Sequence, residues 1–300
     1  MIKIPTPLQQ LSHPLLKEKG IDLYVKRDDL TDPEIVGNKW RKLKYNLLEA
    51  KGLGCSQLVT MGGAFSNHIA ATAAAAKAYG FKSVGIIRGE ELNKRSNEIL
   101  RFAHEKGMIF EFVDRNYYRN MRRNPEKRMN AYKGSYFLPE GGTNELAIKG
   151  CEEIIPEINV NFDLIVCPIG TGGTLCGLIA SLEENQRALG ISVLKGDFIL
   201  NEVDKQLDRY QIRSPNFAIN IDYHFGGYGK ITDELIDFIN YFKENFSITL
   251  DPIYTGKSFF GVWDLIKRDN FEKNLKIVLL HTGGLPDIMS VTRKNQDIVQ

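Results

Sequence analysis

Short apolar segments alternate with helix-forming segments along most of this 300-residue chain, and no other feature limits its fold as strongly. The predicted strands are 23–26, 57–61, 82–87, 108–113, 163–167 and 276–280. The predicted helices are 41–50, 67–78, 96–106 and 174–184, and a glycine closely follows each of the first three. Apolar strands separated by helices are typical of βαβ units and a largely parallel sheet. The sequence therefore predicts an α/β fold.

Composition excludes several classes of protein. Hydrophobic residues make up 43% of the chain and charged residues 25%, which is typical of a globular protein rather than a disordered, fibrous or coiled-coil one. The net charge of +2 is small for a chain whose whole surface binds nucleic acid. No apolar run approaches the roughly 18 residues of a membrane-spanning helix, and MIKIPTPLQQ lacks the apolar core of a signal peptide. We expect a cytoplasmic protein without nucleic-acid or membrane partners.

The residues that usually hold metals or act as nucleophiles form no recognisable motif. The four cysteines lack CxxC spacing, and we expect thiols in a reducing compartment that mostly pack in the core. The five histidines form neither HExxH nor an i,i+4 pair, so no metal site is predicted. GxSxG is also missing, which argues against a serine hydrolase.

Residues 115–130 concentrate positive charge, with six Lys or Arg against one Glu. Tyr117 and Tyr118 lie within this segment, and aromatic side chains among basic ones can stack on single-stranded nucleic acid. The alternative is a solvated surface helix or a flap. We prefer that alternative, because the charge of the rest of the chain is balanced.

A lysine comes shortly before the helix predicted at 41–50, in the segment GNKWRK (37–42). Lys39 would lie in the first helical turn, where the positive end of the helix dipole disfavours a cation and lowers the pKa of an amine. A neutral amine is what a lysine needs to react with a carbonyl group. On this segment alone, a surface lysine at a helix start is the simpler interpretation.

Two glycine-rich segments each join a predicted strand to a predicted helix, where α/β proteins bind ligands. In GGAFSNH (62–68), Ser66 either caps the helix or offers its hydroxyl to an anion. In GTGGT (170–174), successive N–H groups and the helix dipole suit a single phosphate group. Leu175 stands where a dinucleotide-binding GxGxxG needs its last glycine. Close packing of helix on strand is the alternative for this second loop.

Together, these segments resemble the family of enzymes that includes 1-aminocyclopropane-1-carboxylate deaminase and D-cysteine desulfhydrase. The matching stretches are PTPLQ (5–9), KRDDLT (26–31), GNKWRKL (37–43), GGAFSNH (62–68), PEGG (139–142), GTGGT (170–174), DPIYTGKS (251–258) and HTGGLP (281–286). They keep the family's order and cover most of the chain, and 186–220 matches least well. The resemblance implies pyridoxal 5'-phosphate as cofactor and the two-lobed fold of the tryptophan synthase β-subunit, PLP fold type II.

The resemblance also assigns residues to the cofactor. Lys39 would bind its aldehyde covalently, Asn67 would donate to its ring oxygen, and Thr255 would face its pyridine nitrogen. The phosphate would be held by Gly170, Thr171, Gly172, Gly173 and Thr174. We expect a larger cofactor-binding domain at 1–46 and 145–300, and a smaller inserted α/β domain at 47–144.

The remaining assignments concern the substrate, a small amino acid. Ser66, Asn67 and His68 would meet its carboxylate and amine. Lys39, Ser66, Tyr228 and Tyr254 would be the catalytic set. The tyrosine of DPIYTGKS, at a turn before a helix, can be an acid, a base or a packing aromatic, and on its own we interpret it as packing.

Two positions favour one branch of the family. In the family pattern, the cyclopropane deaminases carry Glu at the position of Thr255 and Gln at that of His68, whereas the desulfhydrases carry Thr and His. A hydroxyl leaves the pyridine ring closer to neutral, which suffices to expel a good leaving group such as sulfide.

We therefore expect a lyase or hydrolase that gives a 2-oxo acid and ammonia, closer to the desulfhydrases. Three alternatives stay open: β-replacement, racemisation, and a non-catalytic phosphate-ligand binding protein. We expect a homodimer.

Overall fold

The computed structural model describes residues 1–214 and 216–284. Contacts between Cα atoms divide the chain into two compact units. The larger unit joins the chain from residue 1 to Asn38 with the chain from Cys151 onward, and the smaller unit is Lys39–Gly150. The boundaries expected from the sequence, 46/47 and 144/145, differ from this division by eight and six residues; the first lies inside a helix and the second directly before one. The helix that starts at Asn38 belongs almost whole to the smaller unit.

The described residues form ten strands and eleven α-helices. The strands are β1 Leu8–Leu11, β2 Asp22–Lys26, β3 Gln57–Gly63, β4 Lys82–Arg88, β5 Ile109–Val113, β6 Tyr136–Leu138, β7 Leu164–Ile169, β8 Arg187–Ser192, β9 Phe217–Asn220 and β10 Lys276–Leu280. The helices are α1 Pro14–Lys19, α2 Asn38–Gly52, α3 Asn67–Tyr79, α4 Glu98–Glu105, α5 Arg115–Arg123, α6 Pro125–Ala131, α7 Glu145–Glu152, α8 Gly173–Ala180, α9 Phe198–Arg209, α10 Asp233–Phe246 and α11 Thr255–Lys267. Short 3-10 turns lie at Asp28–Leu30, Glu140–Gly142 and Ile155–Glu157.

The larger unit is built on a six-stranded sheet with the order β1-β2-β10-β7-β8-β9. Every neighbouring pair is parallel except β1 with β2. Leu23 and Ile277 on neighbouring strands join Phe242 of α10 and Trp263 of α11 in one buried apolar cluster. Because the central strands run the same way, the loops after β7 and β10 leave the same edge of the sheet.

The smaller unit has a four-stranded sheet with the order β5-β4-β3-β6, in which all neighbours are parallel. The alanine-rich face of α3 packs in the core beside α4, where Ile69, Ala73 and Leu100 are buried. Small side chains let a helix approach a sheet closely. β3 and β6 are neighbours, so the loops that follow Gly63 and Leu138 emerge side by side.

The α/β prediction is confirmed by these two sheets, in which all neighbouring strands except β1 and β2 are parallel. All six predicted strands are present, within two residues of their predicted ends. The helix predicted at 174–184 is too long, because α8 ends at Ala180 and Glu183–Gln186 forms a turn closed by its own hydrogen bonds. Helix α2 begins three residues earlier than predicted, which places Lys39 inside it.

The basic segment 115–130 forms α5 and α6. Only one of its two tyrosines faces outward: Tyr117 is partly exposed, whereas Tyr118 is buried against β3 and β4 and donates its hydroxyl to Glu140 Oε1 at 2.7 Å. The fold therefore does not expose two tyrosines that could stack on bases. The interpretation of the segment as a surface helix fits better. No helix in the described part of the chain has both the length and the apolar character of a membrane span.

Candidate active site

The GTGGT segment turns from β7 into α8 at the carboxyl edge of the larger unit's sheet. Gly172 is the N-cap residue with φ +87°, and no side chain caps the helix. The N–H groups of the first helical turn have no acceptor within the helix, so the loop presents donors and the positive end of a dipole. This is the arrangement expected for a bound phosphate.

A glutamine that the sequence analysis did not single out fixes this loop through a hydrogen bond. Gln206 of α9 donates its Nε2 to the Thr171 carbonyl oxygen at 2.7 Å. A Cβ atom added to Gly172 would lie 3.0 Å from Val203 Cγ2 and 3.1 Å from Gln206 Nε2. The loop is therefore packed tightly against α9. One glutamine on an amphipathic helix carries no sequence signal that distinguishes it from a surface residue.

The residues just before Lys39 are fixed at the same edge. Asn38 donates its side-chain amide to Thr174 Oγ1 at 2.8 Å and its backbone N–H to the Thr282 carbonyl at 3.3 Å. Gly37 has φ +64°, and a Cβ atom there would overlap the Thr282 carbonyl oxygen. The GNK and HTGG segments are thus held backbone to backbone, which explains the glycine before Asn38. Leu285 and Pro286, which complete HTGGLP, lie outside the described residues.

Tyr254 and Tyr228 lie next to the glycine loop. Tyr254 precedes α11, its hydroxyl donates to the Tyr228 hydroxyl at 3.4 Å, and the two rings meet edge to face with centroids 6.0 Å apart. A Cβ atom on Gly170 would lie 3.1 Å from Tyr254 Cε1, so this glycine makes room for the ring. The larger unit therefore brings together the predicted phosphate loop and both predicted tyrosines.

Thr255 is fully buried and bound to a carboxylate that the sequence analysis did not assign. Its hydroxyl donates to Asp251 Oδ2 at 2.7 Å and accepts the Asp251 backbone N–H at 2.9 Å. Asp251 also accepts the backbone N–H groups of Ile253, Tyr254 and Thr255. The Thr255 proton therefore points to Asp251, and one lone pair of the hydroxyl stays available as an acceptor.

Ser66 occupies the N-cap position of α3, but its side chain makes no capping hydrogen bond. Simple capping was one of two interpretations of this residue, and the structure does not support it. Asn67 is the first residue of the helix and His68 the second. Gly62 leaves space for Ser66, because a Cβ atom there would lie 3.0 Å from the serine Oγ.

His68 is buried and only partly satisfied. Its Nε2 lies 3.5 Å from Thr72 Oγ1, and its Nδ1 has no hydrogen-bond partner among the described residues. Burial holds the pKa of His68 well below its usual value, and the positive charges of Lys39 and Lys42 lower this pKa further. The ring is therefore neutral at physiological pH. A buried polar atom without a partner is costly in a folded protein, which marks it as a candidate ligand contact.

The PEGG turn is built around this histidine. Gly142 has φ +70°, and a Cβ atom on it would lie 2.7 Å from His68 Cε1. Lys42, one helical turn after Lys39, donates its Nζ to the Gly141 carbonyl at 3.0 Å and to Thr143 Oγ1 at 3.2 Å. Lys42 thus fixes the turn that packs on His68, a role that the sequence analysis missed.

Comparison with known proteins identifies the family. The family model described as "Pyridoxal-phosphate dependent enzyme" matches residues 2–283, and the chain belongs to this family. A putative 1-aminocyclopropane-1-carboxylate deaminase of Pyrococcus furiosus is 37% identical, over 95% of this chain and 91% of the relative. The mitochondrial bifunctional D-cysteine desulfhydrase/1-aminocyclopropane-1-carboxylate deaminase of Arabidopsis thaliana is 29% identical, over 94% of this chain and 77% of the relative.

A solved structure of an ACC deaminase homologue superposes with a TM-score of 0.81 at 32% identity, covering 95% of this chain and 90% of the other. Threonine deaminase isoform 2 of Solanum lycopersicum shares the fold, with a TM-score of 0.70 at 15% identity, covering 99% of this chain and 83% of the other. The protein is therefore a pyridoxal-phosphate-dependent enzyme homologous to the deaminases and desulfhydrases, as the motifs predict. The expectation of a hydrolase is wrong, because 1-aminocyclopropane-1-carboxylate deaminase is a lyase. A non-catalytic binding protein is not favoured.

Proposed function

We propose that this enzyme removes sulfide and ammonia from D-cysteine, as a D-cysteine desulfhydrase-like lyase. The reaction converts D-cysteine and one water molecule into pyruvate, hydrogen sulfide and ammonia. The observation that carries the proposal is the buried hydroxyl of Thr255: because it donates its hydrogen bond to Asp251, it offers an uncharged acceptor at the position where the family's deaminases carry a carboxylate.

The residues present fit the cofactor. The GTGGT loop offers backbone donors and no side-chain cap, which suits a phosphate, and Asn38 fixes the chain directly before Lys39. We propose that Gly170–Thr174 hold the phosphate, that Lys39 binds the aldehyde, that Asn67 donates to the ring oxygen and that Thr255 faces the pyridine nitrogen. When bound, pyridoxal phosphate withdraws the electrons released at the substrate's α-carbon.

Each remaining residue has a task that its surroundings permit. Lys39 takes the proton from the α-carbon, for which its amine must be neutral. Ser66, whose hydroxyl is not used as a cap, and His68 bind the substrate carboxylate; the neutral histidine does so by donating a hydrogen bond from its Nδ1–H. Tyr254 and Tyr228, already joined through their hydroxyls, hold a proton for the leaving sulfur.

Opening a cyclopropane ring is the competing activity, and the names of several relatives favour it. That reaction converts 1-aminocyclopropane-1-carboxylate and water into 2-oxobutanoate and ammonia. It breaks a carbon–carbon bond and needs a stronger electron sink than the loss of sulfide does. A carboxylate near the pyridine nitrogen strengthens the electron sink because it favours the protonated ring. A hydroxyl favours the protonated ring less.

The test compares kcat/KM for D-cysteine and for 1-aminocyclopropane-1-carboxylate in the cofactor-loaded protein. We expect the parent to prefer D-cysteine and Thr255→Glu to shift the ratio toward the cyclopropane substrate. Thr255→Gln, similar in size but uncharged, is the matched control and should not produce this shift. A parent that opens the ring efficiently and ignores D-cysteine would overturn the proposal and favour the deaminase activity.

We further propose a homodimer that works in the cytoplasm. None of the four cysteines forms a disulfide and three of them are buried, which fits a reducing compartment. Sedimentation equilibrium should give twice the chain mass of 34.0 kDa.

A further inference from the structure

Lys257 is among the largest fully buried side chains of the protein. It is the third residue of α11, and its Nζ donates to the carbonyl oxygens of His224 at 2.9 Å and of Gly227 at 2.8 Å. A cation in the first turn of a helix faces the positive end of the dipole, and burial removes its water. Both effects oppose a lysine here, so the two carbonyl contacts must offset them.

The segment that Lys257 binds is an irregular turn, residues 223–230. Its backbone has positive φ at Phe225 (+52°), Gly226 (+90°), Gly227 (+126°) and Gly229 (+74°). Positive φ at a non-glycine residue such as Phe225 is unfavourable and persists only where the surroundings enforce it. The turn therefore needs contacts that hold its shape.

Other contacts also hold the turn: Tyr223 and Phe225 fix its beginning, and at its centre the Gly226 N–H donates to His224 Nδ1 at 2.9 Å. Tyr223 donates its hydroxyl to Asp264 Oδ2 at 2.8 Å, and the Phe225 ring packs edge to face on Phe260, with centroids 4.9 Å apart. Within the turn, His224 and Gly227 accept one backbone N–H each, at 3.0 and 3.1 Å. Lys257 supplies the second hydrogen bond to each of these two carbonyls, one before and one after Gly226 in the chain.

Tyr228 follows Gly227 directly, and its hydroxyl is 3.4 Å from that of Tyr254. Tyr254 and Lys257 are three residues apart at the start of α11. One helix terminus thus carries one tyrosine of the pair and also the side chain that fixes the turn bearing the other. Asp251 completes the arrangement by accepting the Tyr254 N–H at 2.7 Å.

We propose that Lys257 is a positioning residue that holds Tyr228 against Tyr254 by clamping the 224–227 turn to α11. The consequence for turnover rests on the proposed function, in which the two hydroxyls act together at the leaving group. The clamp itself does not depend on that function, and the two can be tested separately.

The experiment compares the cofactor-loaded parent with Lys257→Met, Tyr228→Phe and the double variant. Methionine keeps the length and apolar stem of lysine but donates no hydrogen bond. Hydrogen–deuterium exchange of the peptide containing 223–230 reports on the clamp, and kcat/KM for D-cysteine reports on its consequence. Lys26→Met is the matched control: Lys26 is also fully buried and donates to two acceptors, Thr6 O and Glu157 Oε2, both at 2.7 Å.

In Lys257→Met we expect exchange across 223–230 to rise about tenfold or more, whereas Lys26→Met leaves it unchanged. We expect kcat/KM to fall in Lys257→Met about as far as in Tyr228→Phe, and the double variant to be no worse than Tyr228→Phe alone. Unchanged exchange in Lys257→Met, or losses that multiply in the double variant, would overturn the proposal. Raised exchange with a fully active Tyr228→Phe would support the clamp and contradict the role of Tyr228 in the proposed function.

Discussion

Lys39, Thr255 and Lys257 illustrate how little a residue's type says about its task. Thr255 and Lys257 are both fully buried in the first turn of α11. The Thr255 hydroxyl donates to Asp251, whereas the Lys257 amine donates to a carbonyl of a turn far along the chain. Lys39 differs from the other lysines by its place in GNKWRK. It directly follows Gly37 and Asn38, which are fixed at the edge of the larger unit's sheet. At the residue scale, the hydrogen-bond partners of a side chain decide its role.

Lys39 should carry the cofactor covalently. Borohydride reduction of the cofactor-loaded protein, followed by digestion and mass spectrometry, is expected to place the label on the peptide containing Lys39. Lys39→Ala should prevent fixation and abolish turnover, whereas Lys51→Ala, at the far end of the same helix, should leave both unchanged. Label on Lys42 or on another lysine would contradict the assignment.

At the scale of elements, the termini of helices carry the candidate site. Helix α8 presents an uncapped N-terminus behind a glycine loop, α3 begins beside Ser66, and α11 begins beside Tyr254. Helices α3 and α8 each start from a loop that follows a strand, so the strands fix their positions, whereas α11 starts from the loop that follows α10. Helix α9, from the stretch that matches relatives least well, supports the phosphate loop through Gln206.

Gly172→Val should weaken cofactor binding, because its φ of +87° is strained for a β-branched residue and its Cβ atom would meet Val203 and Gln206. We expect the dissociation constant to rise about ten- to hundredfold, on the order of one or two lost charge-assisted hydrogen bonds. Gln206→Leu removes the hydrogen bonds of this side chain with Thr171 O, Glu202 O and Cys176 Sγ but leaves the glycine in place, and it should have a smaller effect in the same direction.

Fluorescence titration with pyridoxal phosphate measures both changes. Gly107→Val is the matched control, since this glycine also has positive φ (+93°) but no atom lies within 4 Å of its added Cβ. It should lower stability without changing cofactor affinity. Parent-like affinity in Gly172→Val would show that the loop serves packing alone.

At the scale of the whole molecule, two largely parallel sheets each support their own group of candidate site residues. Burying polar groups inside these units links their stability to pH. Burial lowers the pKa of Lys257 to about 8, and the Asp251 carboxylate opposes this shift. The folded protein therefore releases this proton at a lower pH than the unfolded chain does.

Between about pH 8 and the usual lysine pKa, the unfolded chain binds more protons than the folded one, so this group makes the fold more stable as pH rises. The free energy of unfolding of the parent, minus that of Lys257→Met, should increase across this range by up to about 3 kcal/mol. Urea unfolding at several pH values measures the difference, in which titrations common to both proteins cancel. A difference that stays constant with pH would contradict the shifted pKa.

The sequence by itself determined the α/β class, the six central strands and the cofactor family. Alternation of apolar strands with helices is a local pattern, and the glycine-rich segments are specific as a set because they keep the family's order along the chain. The assignments of Lys39, Ser66, His68, GTGGT and Tyr254 rest on these segments and remain predictions.

Only the tertiary structure revealed the residues that act from a distance. Gln206, Lys42, Asp251 and Lys257 sit on helices or turns where polar side chains are ordinary, and their partners are backbone atoms or neighbours brought close by folding. The burial of Tyr118 and the true end of α8 likewise depend on packing. A hydrogen bond to a carbonyl far along the chain leaves no periodic trace in the sequence, because the carbonyl is the same in every residue.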